Sequence, residues 1–258
     1  MSRIKEIYAY RTMISSLVTR DLKGRYKGAV LGFLWTFINP LLQMLVYTLV
    51  FSIIMRNGIE DFYMFLFVAL IPWMFFSASL NGSATCILSQ KEMVNKIYFP
   101  REVLPISFVT SQFINMLLSF IVVFLVMFIG GYVFNPRAIA CLPIVMIVEY
   151  ILALGFSMIL SALTVFFRDL EYVLSIATML WQYLTPVIYS IDIVPEKYRR
   201  FFALNPMTYV IVSYRDILYY GRVPKLSNLI STIVIGLITL SVGWCAFYNL
   251  QKHFAEEL

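Results

Sequence analysis

Charge is scarce in this sequence: 13% of its 258 residues are Asp, Glu, Lys or Arg, where soluble domains carry about 25%. So few charges cannot cover a water-facing surface, which excludes a soluble fold of this length. Histidine is rarer still, with His253 alone near the C-terminus. Neither a metal-ligand set nor a nucleophile with its base can be assembled around it, so no catalytic residues are expected. No G-x-x-x-x-G-K-[ST] loop is present to cradle nucleotide phosphates, which excludes ATP hydrolysis by the usual route. If the chain pumps, a partner supplies the energy. The three cysteines, Cys86, Cys141 and Cys245, lie in apolar stretches without pairing or metal spacing and read as small buried hydrophobes. The N-terminal MSRIKEIYAYR lacks a short apolar core followed by a small-residue cleavage site. No removable signal peptide is therefore expected, and the first span must direct insertion itself.

What fills the space is apolar: 61% of the residues are hydrophobic and 17% aromatic. Charge-free runs cover residues 31–55, 62–90, 103–136, 138–167 with Glu149 as the one interruption, 172–191 and 226–251. At 1.5 Å per residue each run can span about 30 Å, which predicts six transmembrane helices in one polytopic domain. A seventh run, 201–214, is short for a crossing and suits a re-entrant or interfacial segment. Ahead of the first span, Ile4, Ile7, Ile14, Leu17 and Val18 recur at helical separations among seven Lys and Arg residues. This pattern predicts an amphipathic helix at the membrane surface. The connections on that side hold twelve Lys and Arg against eight on the other, which places both termini in the cytoplasm. Six of the eight, Lys197, Arg199, Arg200, Arg215, Arg222 and Lys225, fall in the last outer connection and run against the positive-inside pattern. The net charge of +6 reads as loops facing anionic lipid, not as nucleic-acid binding.

Glu149 is the one carboxylate well inside a span. A charge there is costly unless paired or wet, so it is either a group on a substrate path or a carboxyl bonded to a neighbouring helix's hydroxyl or amide. Trp181 and Tyr183 stand beside Thr185 and Pro186, and Trp73 follows Pro72, so aromatic rings cluster where two helices are interrupted. Broken helices at membrane depth are tolerated against protein or a wet cavity. Rings there, with Tyr189 nearer the outside, could give sugar rings a stacking surface, although belt anchoring and packing explain aromatic residues as well. The connection QKEMVNKIYFPREVLP at 90–105 is amphipathic and bracketed by prolines, which predicts a short surface helix able to dock on a soluble partner. The next connection on that side, FFRDLEY at 166–172, sets Arg168 and Asp169 at the membrane edge.

Four pieces resemble a known family in its own order: RDLKGRYKGAVLGFLWTFINP at 20–40, KIYFPREVLP at 96–105, VFFRDLEYVL at 165–174 and TPVIYSIDIVPEKYRRFFALNPMTYVI at 185–211. Together with the six-span layout they are similar to permease subunits of type-2 ABC exporters, in the branch that exports O-antigens, teichoic acids and related polysaccharides. The resemblance implies an all-α membrane fold with a cytoplasmic interfacial helix at 1–28, spans one to five over 29–191, short re-entrant outer gate helices within 192–225, and span six at 226–251. It also implies a homodimer in a bacterial cytoplasmic membrane with one nucleotide-binding ATPase subunit under each copy. ATP and magnesium would bind in that partner, and a lipid-linked polysaccharide would be the cargo. The coupling elements it implies are the N-terminal helix and the 91–101 loop, with Lys91, Glu92, Lys96, Tyr98 and Arg101 joined by Arg168 and Asp169. The path it implies would be lined by Trp73, Trp181, Tyr183, Tyr189 and Glu149. A drug- or lipid-exporting permease of the same superfamily, or a membrane enzyme acting on lipid-linked substrate, would be the competing functions.

Overall fold

The computed structural model describes residues 3–25, 27–54 and 58–257, with backbone alone at 4, 255 and 256. Met55, which ends the first charge-free run, and Arg56 of the charge tally lie outside the described residues. Thirteen α-helices and no strand occur among those described. The N-terminal segment forms α1 (Arg3–Ala9) and α2 (Arg11–Gly24). The first span is composite: a 3-10 turn at Gly32–Leu34, α3 (Trp35–Thr48) and a π-helical stretch at Leu49–Ile54. Then come α4 (Phe62–Thr85), α5 (Lys91–Lys96), α6 (Val103–Ile129), α7 (Pro136–Ile139) and α8 (Leu142–Phe166). The chain closes with α9 (Leu170–Tyr183), α10 (Glu196–Leu204), α11 (Pro206–Leu218), α12 (Leu226–Leu250) and α13 (Phe254–Glu257).

Five stretches are long and apolar enough to cross a bilayer: Gly32–Ile54, Phe62–Thr85, Val103–Ile129, Pro136–Phe166 and Leu226–His253. The run at 172–191 behaves differently. Its helix α9 stops at Tyr183 after 14 residues, about 21 Å of rise, and the chain continues through turns to residue 190. Pro186 lacks an N–H and disfavours helical backbone at the residue before it, so the helix ends where Thr185-Pro186 begins.

Helix α4 is apolar all round and forms the centre, with α3, α6, α8, α9 and α11 packed about it. Its buried face carries Phe62, Phe65, Phe67, Phe75 and Phe76. The tightest pair is α8 with α12, whose backbones touch at Gly155 and Gly243. Small residues allow such approach where apolar surface alone gives helices no reason to associate in lipid. Both termini, α5 and the 167–169 turn gather at one end of the bundle, here the terminal end. Residues 58–61, 130–137 and 219–225 gather at the other, the distal end.

Helices α10 and α11 make a hairpin whose turn reaches deep into the bundle. At the turn, Asn205 accepts from the Met207 N–H at 3.0 Å and Pro206 takes the first helical position, a standard helix start. The same asparagine donates to the Leu184 carbonyl and Thr185 Oγ1 at 3.1 and 2.8 Å and accepts from Trp181 Nε1 at 3.0 Å. Trp181 packs edge-on against Phe76 and Phe156. Both phenylalanines lie fourteen residues, about 21 Å, from the distal ends of α4 and α8. From there α11 climbs back to the distal end, where Tyr219 donates to the Glu60 carbonyl at 2.7 Å.

Three cations of this region are accounted for by packing. Arg199 donates to the carbonyls of Val194 and Asp192, Arg222 pairs with the buried Asp216 at 2.6 Å, and Arg215 is itself buried on α11. Three of the six charges that run against the positive-inside pattern therefore serve the hairpin's own structure, and topology signals read from loop charge do not apply to them.

Candidate functional site: an aromatic distal mouth and a coupling surface

The distal mouth is built on the interruption of α9. Residues 184–190 leave the helix, and their carbonyls would stand unpaired inside the bundle. Arg215 supplies the donors: Nη1 to the Pro186 carbonyl at 2.5 Å and to Tyr189 at 3.1 Å, Nη2 to Val187 at 2.6 Å, and Nε to the Phe65 carbonyl of α4 at 3.2 Å. Its guanidinium also lies 3.6 Å from the Phe65 ring centre, a cation–π contact. A planar five-donor fork suits several carbonyls at once in a way an ammonium does not. This arginine ties the α10–α11 hairpin, the broken helix and the centre of the bundle together.

Beside this pin opens a cavity of about 730 Å³ lined by Phe51, Tyr183, Ile188, Tyr189, Ser190 and Asp192 among others. Tyr183 is 57% exposed, and the Tyr189 hydroxyl donates to the Tyr183 carbonyl at 2.8 Å. Ser190 donates to Asp192 Oδ2 at 2.8 Å, placing a polar edge on an otherwise apolar wall. Aromatic faces with a few polar groups at the rim can hold a sugar ring loosely. Trp73 and Trp181 lie deeper. Trp73 is buried with its ring 5.8 Å from Phe76, whose ring is 5.1 Å from half-buried Trp181. Of the four aromatic residues expected on the path, Tyr183 and Tyr189 line the cavity, and Trp73 and Trp181 pack behind it through Phe76.

Glu149 is fully buried on α8 and accepts from the Tyr214 hydroxyl of α11 at 2.7 Å. Its Oε1 has no hydrogen-bond partner among the described residues. Tyr214 is held from its other side by stacking on Phe120. The carboxyl and the phenol join the hairpin to α8 near the depth of its second turn.

At the terminal end, α5 projects Lys91, Glu92 and Lys96 into solvent, followed by exposed Tyr98. Lys96 and Glu92 form an exposed pair at 3.3 Å. Arg168 and Asp169 are exposed as well and make no ion pair with each other among the described residues. Arg101 does not share that surface: it donates to the Gln251 carbonyl, and its guanidinium lies over the Phe254 ring. Burial pulls its pKa below the ordinary value, and neighbouring Glu102 opposes that shift. Arg3, also partly withdrawn from water by burial, is nevertheless held above its ordinary value because Glu102 and Glu6 outweigh the burial. Under these polar groups a cluster of Val94, Phe99, Val165, Phe247 and Phe254, joined by Tyr10 and Ile14, packs the N-terminal helices, the α5 loop, the end of α8 and the C-terminus together. Helix α2 runs along α6, with Arg25 donating to Gln112 and Asp21 accepting from Arg25 and Ser111.

Sequence reasoning missed Arg215, Asn205, Tyr214 and Glu102. Asn205-Pro206 carried a readable helix-start signal. The other three had none, because their partners lie 26 to 150 residues away in the chain.

Comparisons with known proteins identify the family. The family model described as ABC-2 type transporter matches residues 12–219. The O-antigen export system permease protein RfbA of Myxococcus xanthus is 37% identical over 257 residues, covering 99% of this chain and 98% of the relative. A protein of the same name from Klebsiella pneumoniae is 34% identical over 94% of this chain and 93% of its own length. The polysialic acid transport protein KpsM of Escherichia coli is 23% identical over 94% of both chains. With its helical bundle, its broken helix and a family match across most of its length, the chain belongs to the ABC-2 type transporter membrane family.

Proposed function

We propose that this chain is the membrane subunit of an ATP-driven exporter that moves a lipid-linked polysaccharide of the O-antigen type out of the cytoplasm through a path ending at the aromatic mouth. Near-full-length likeness to a permease named for O-antigen export carries the reading. The cavity walled by Tyr183 and Tyr189 supports it, because a polymer must move on after each contact, and broad aromatic faces tolerate many registers. The chain is a transporter subunit and not an enzyme by itself, with hydrolysis on a separate ATPase that binds ATP and magnesium. The terminal end is then cytoplasmic, α5 with Lys91, Glu92, Lys96 and Tyr98 meets the ATPase, and Arg168 and Asp169 flank that contact.

A second copy of the chain completes the path. Of the fourteen residues of α9, Leu174 and Thr178 alone are buried, and Val173, Ile176, Met179, Leu180 and Tyr183 are exposed. The outer face of α3 is equally bare at Leu42, Leu45 and Val46. These faces flank the cavity, and a twofold-related copy would enclose it. The protein then sits in the bacterial inner membrane, with 172–191 making a sixth crossing as a half-helix continued by irregular chain, and residues 192–225 forming the outer gate.

The test is the double substitution Tyr183→Leu with Tyr189→Leu, the two rings that line the cavity, which keeps the segment apolar. Export should slow and polymer length change while the protein remains in the membrane. Export at the normal rate and length would remove these rings from the path. Depletion of the chain should leave polysaccharide inside the cell, whereas accumulation of a drug or a free lipid would favour another cargo. Single cysteines at Glu196 and Arg168 should label from opposite faces.

A further inference from the structure

The segment FPREVLP hands the exposed helix α5 over to α6, and its two charged side chains turn inward. Glu102 is buried to 1% exposure. It accepts from Arg3 Nε and Nη2 at 3.0 and 3.1 Å and from Gln251 Nε2 at 3.0 Å. Arg3 adds a bond of 3.3 Å to Gln251 Oε1 and a pair with Glu6 at 2.8 Å. Arg101 grips the other side of the same junction through the Gln251 carbonyl and Phe254. One carboxylate therefore holds together the first helix, the exit of the coupling loop and the residue that ends α12.

We propose that Glu102 is the positioning residue of energy coupling: it clamps α1 and the end of α12 to the α5 loop, so that displacement of α5 reaches the first, third and last spans as one motion. This rests on the exporter reading above. Helix α5 has six residues and buries Val94 alone, and Ile97 and Tyr98 beyond it are exposed. A push on so small a helix moves the bundle only if its exit is stiff. The stiff exit is Phe99 to Glu102: Phe99 and Pro100 are buried, and the next two side chains are bonded to both ends of the chain. A buried carboxylate stripped of one partner is strongly unfavourable, so the clamp engages as a unit or not at all. Helix α1 leads through α2 into the first span, α12 is the last, and Glu102 itself precedes α6.

The experiment uses the whole transporter, permease with its ATPase, in lipid vesicles. Glu102→Gln keeps the side chain's shape and removes its charge, and Arg3→Gln removes the other half of the ion pair. Amide exchange in residues 3–9 should rise about tenfold or more in either variant. The ATP hydrolysed per polymer exported should rise several-fold while the ATPase stays bound. Because the pair acts as one clamp, the double variant should be no worse than Glu102→Gln. Faster exchange with an unchanged ratio of ATP to polymer would reduce Glu102 to a structural residue and overturn the proposal, as would unchanged exchange. Wild-type vesicles that hydrolyse ATP but export no polysaccharide would instead refute the exporter reading, whatever Glu102 does. If Glu102→Gln does not accumulate, Gln251→Ala, which removes the side-chain bonds from the end of α12 to Glu102 and Arg3, should raise amide exchange at residues 247–253 and the ATP hydrolysed per polymer, and no change in either would overturn the proposal.

Discussion

Replacing Gly243 by alanine tests whether the α8–α12 contact is set by backbone approach or by general apolar packing. A Cβ at Gly243 would stand 2.3 Å from the Gly155 carbonyl oxygen, and ordinary contact begins at 3.4 Å, so the helices must part locally by about 1.1 Å. No rotamer relieves this, since the obstruction is backbone. Gly155→Ala meets the same obstacle from the other side, with Leu240 N at 2.6 Å and the Thr239 carbonyl carbon at 2.7 Å. Overpacking of this kind costs about 1–3 kcal/mol. Gly236 is the control on the same helix, because its Cβ would lie 3.6 Å from Ile151 Cγ2 in normal contact. Removing a glycine from a helix interior is itself favourable by roughly 0.5–1 kcal/mol. Gly236→Ala should therefore unfold at or slightly above the wild-type temperature, and Gly243→Ala and Gly155→Ala clearly below it. Thermal unfolding of the purified protein in detergent reads the difference. Equal midpoints for Gly236→Ala and Gly243→Ala would refute the reasoning, because the two substitutions add the same methyl group to the same helix.

The α10–α11 hairpin and the terminal end give four more. Arg215→Lys should lower the unfolding midpoint, since each carbonyl left unpaired costs about 1–3 kcal/mol, while Arg200→Lys on the exposed side of α10 should leave it unchanged; equal midpoints would mean the four carbonyls do not need the fork. Lys96→Glu breaks an exposed pair worth less than about 1 kcal/mol and should disturb coupling to the ATPase without changing stability. Arg101→Glu puts a carboxylate beside Glu102 and should destabilise by about 3 kcal/mol or more, and a stable Arg101→Glu protein would show that the contact with Gln251 is dispensable. Tyr214→Phe leaves Glu149 without its phenol and should cost about 1–3 kcal/mol, whereas Glu149→Gln keeps an acceptor for Tyr214 and should be milder in the same melt; the reverse order would mean the carboxylate charge itself is stabilising.

The apolar framework was legible because a bilayer leaves little choice. A long run without charge reads as a helix, and α4, α6, α8 and α12 occupy four of the runs with ends displaced by a few residues. The run at 172–191 is longer than its helix α9, because hydropathy records which residues tolerate lipid and not where the backbone stops being helical. Thr185-Pro186 carried that second message. The short run at 201–214 spans the last turn of α10 and most of α11, divided at Asn205, so its composition described neither helix. The surface helix α5 was readable from its prolines and its mixed charge.

Polar groups were read as outward-facing because a single sequence shows a charge without its partner. Arg215 and Arg101 each lie in a connection by composition, and each is turned inward onto carbonyls that the fold brings to it. The reason is common to both ends of the bundle. Where a helix is interrupted or ends, as at 184–190 and at Gln251 after α12, backbone acceptors are left without the next turn's N–H groups. Water satisfies such groups at a soluble surface, but inside a membrane bundle a side chain must do so. Arginine has the reach and the number of donors for the task. An arginine next to an interruption in an otherwise apolar protein is therefore better counted as part of that interruption than as a loop charge. Counted so at both ends, Arg199 and Arg215 drop from the distal tally and Arg101 from the terminal one, leaving eleven Lys and Arg residues against six in place of twelve against eight. The remaining bias then favours cytoplasmic termini more strongly than the raw tally did.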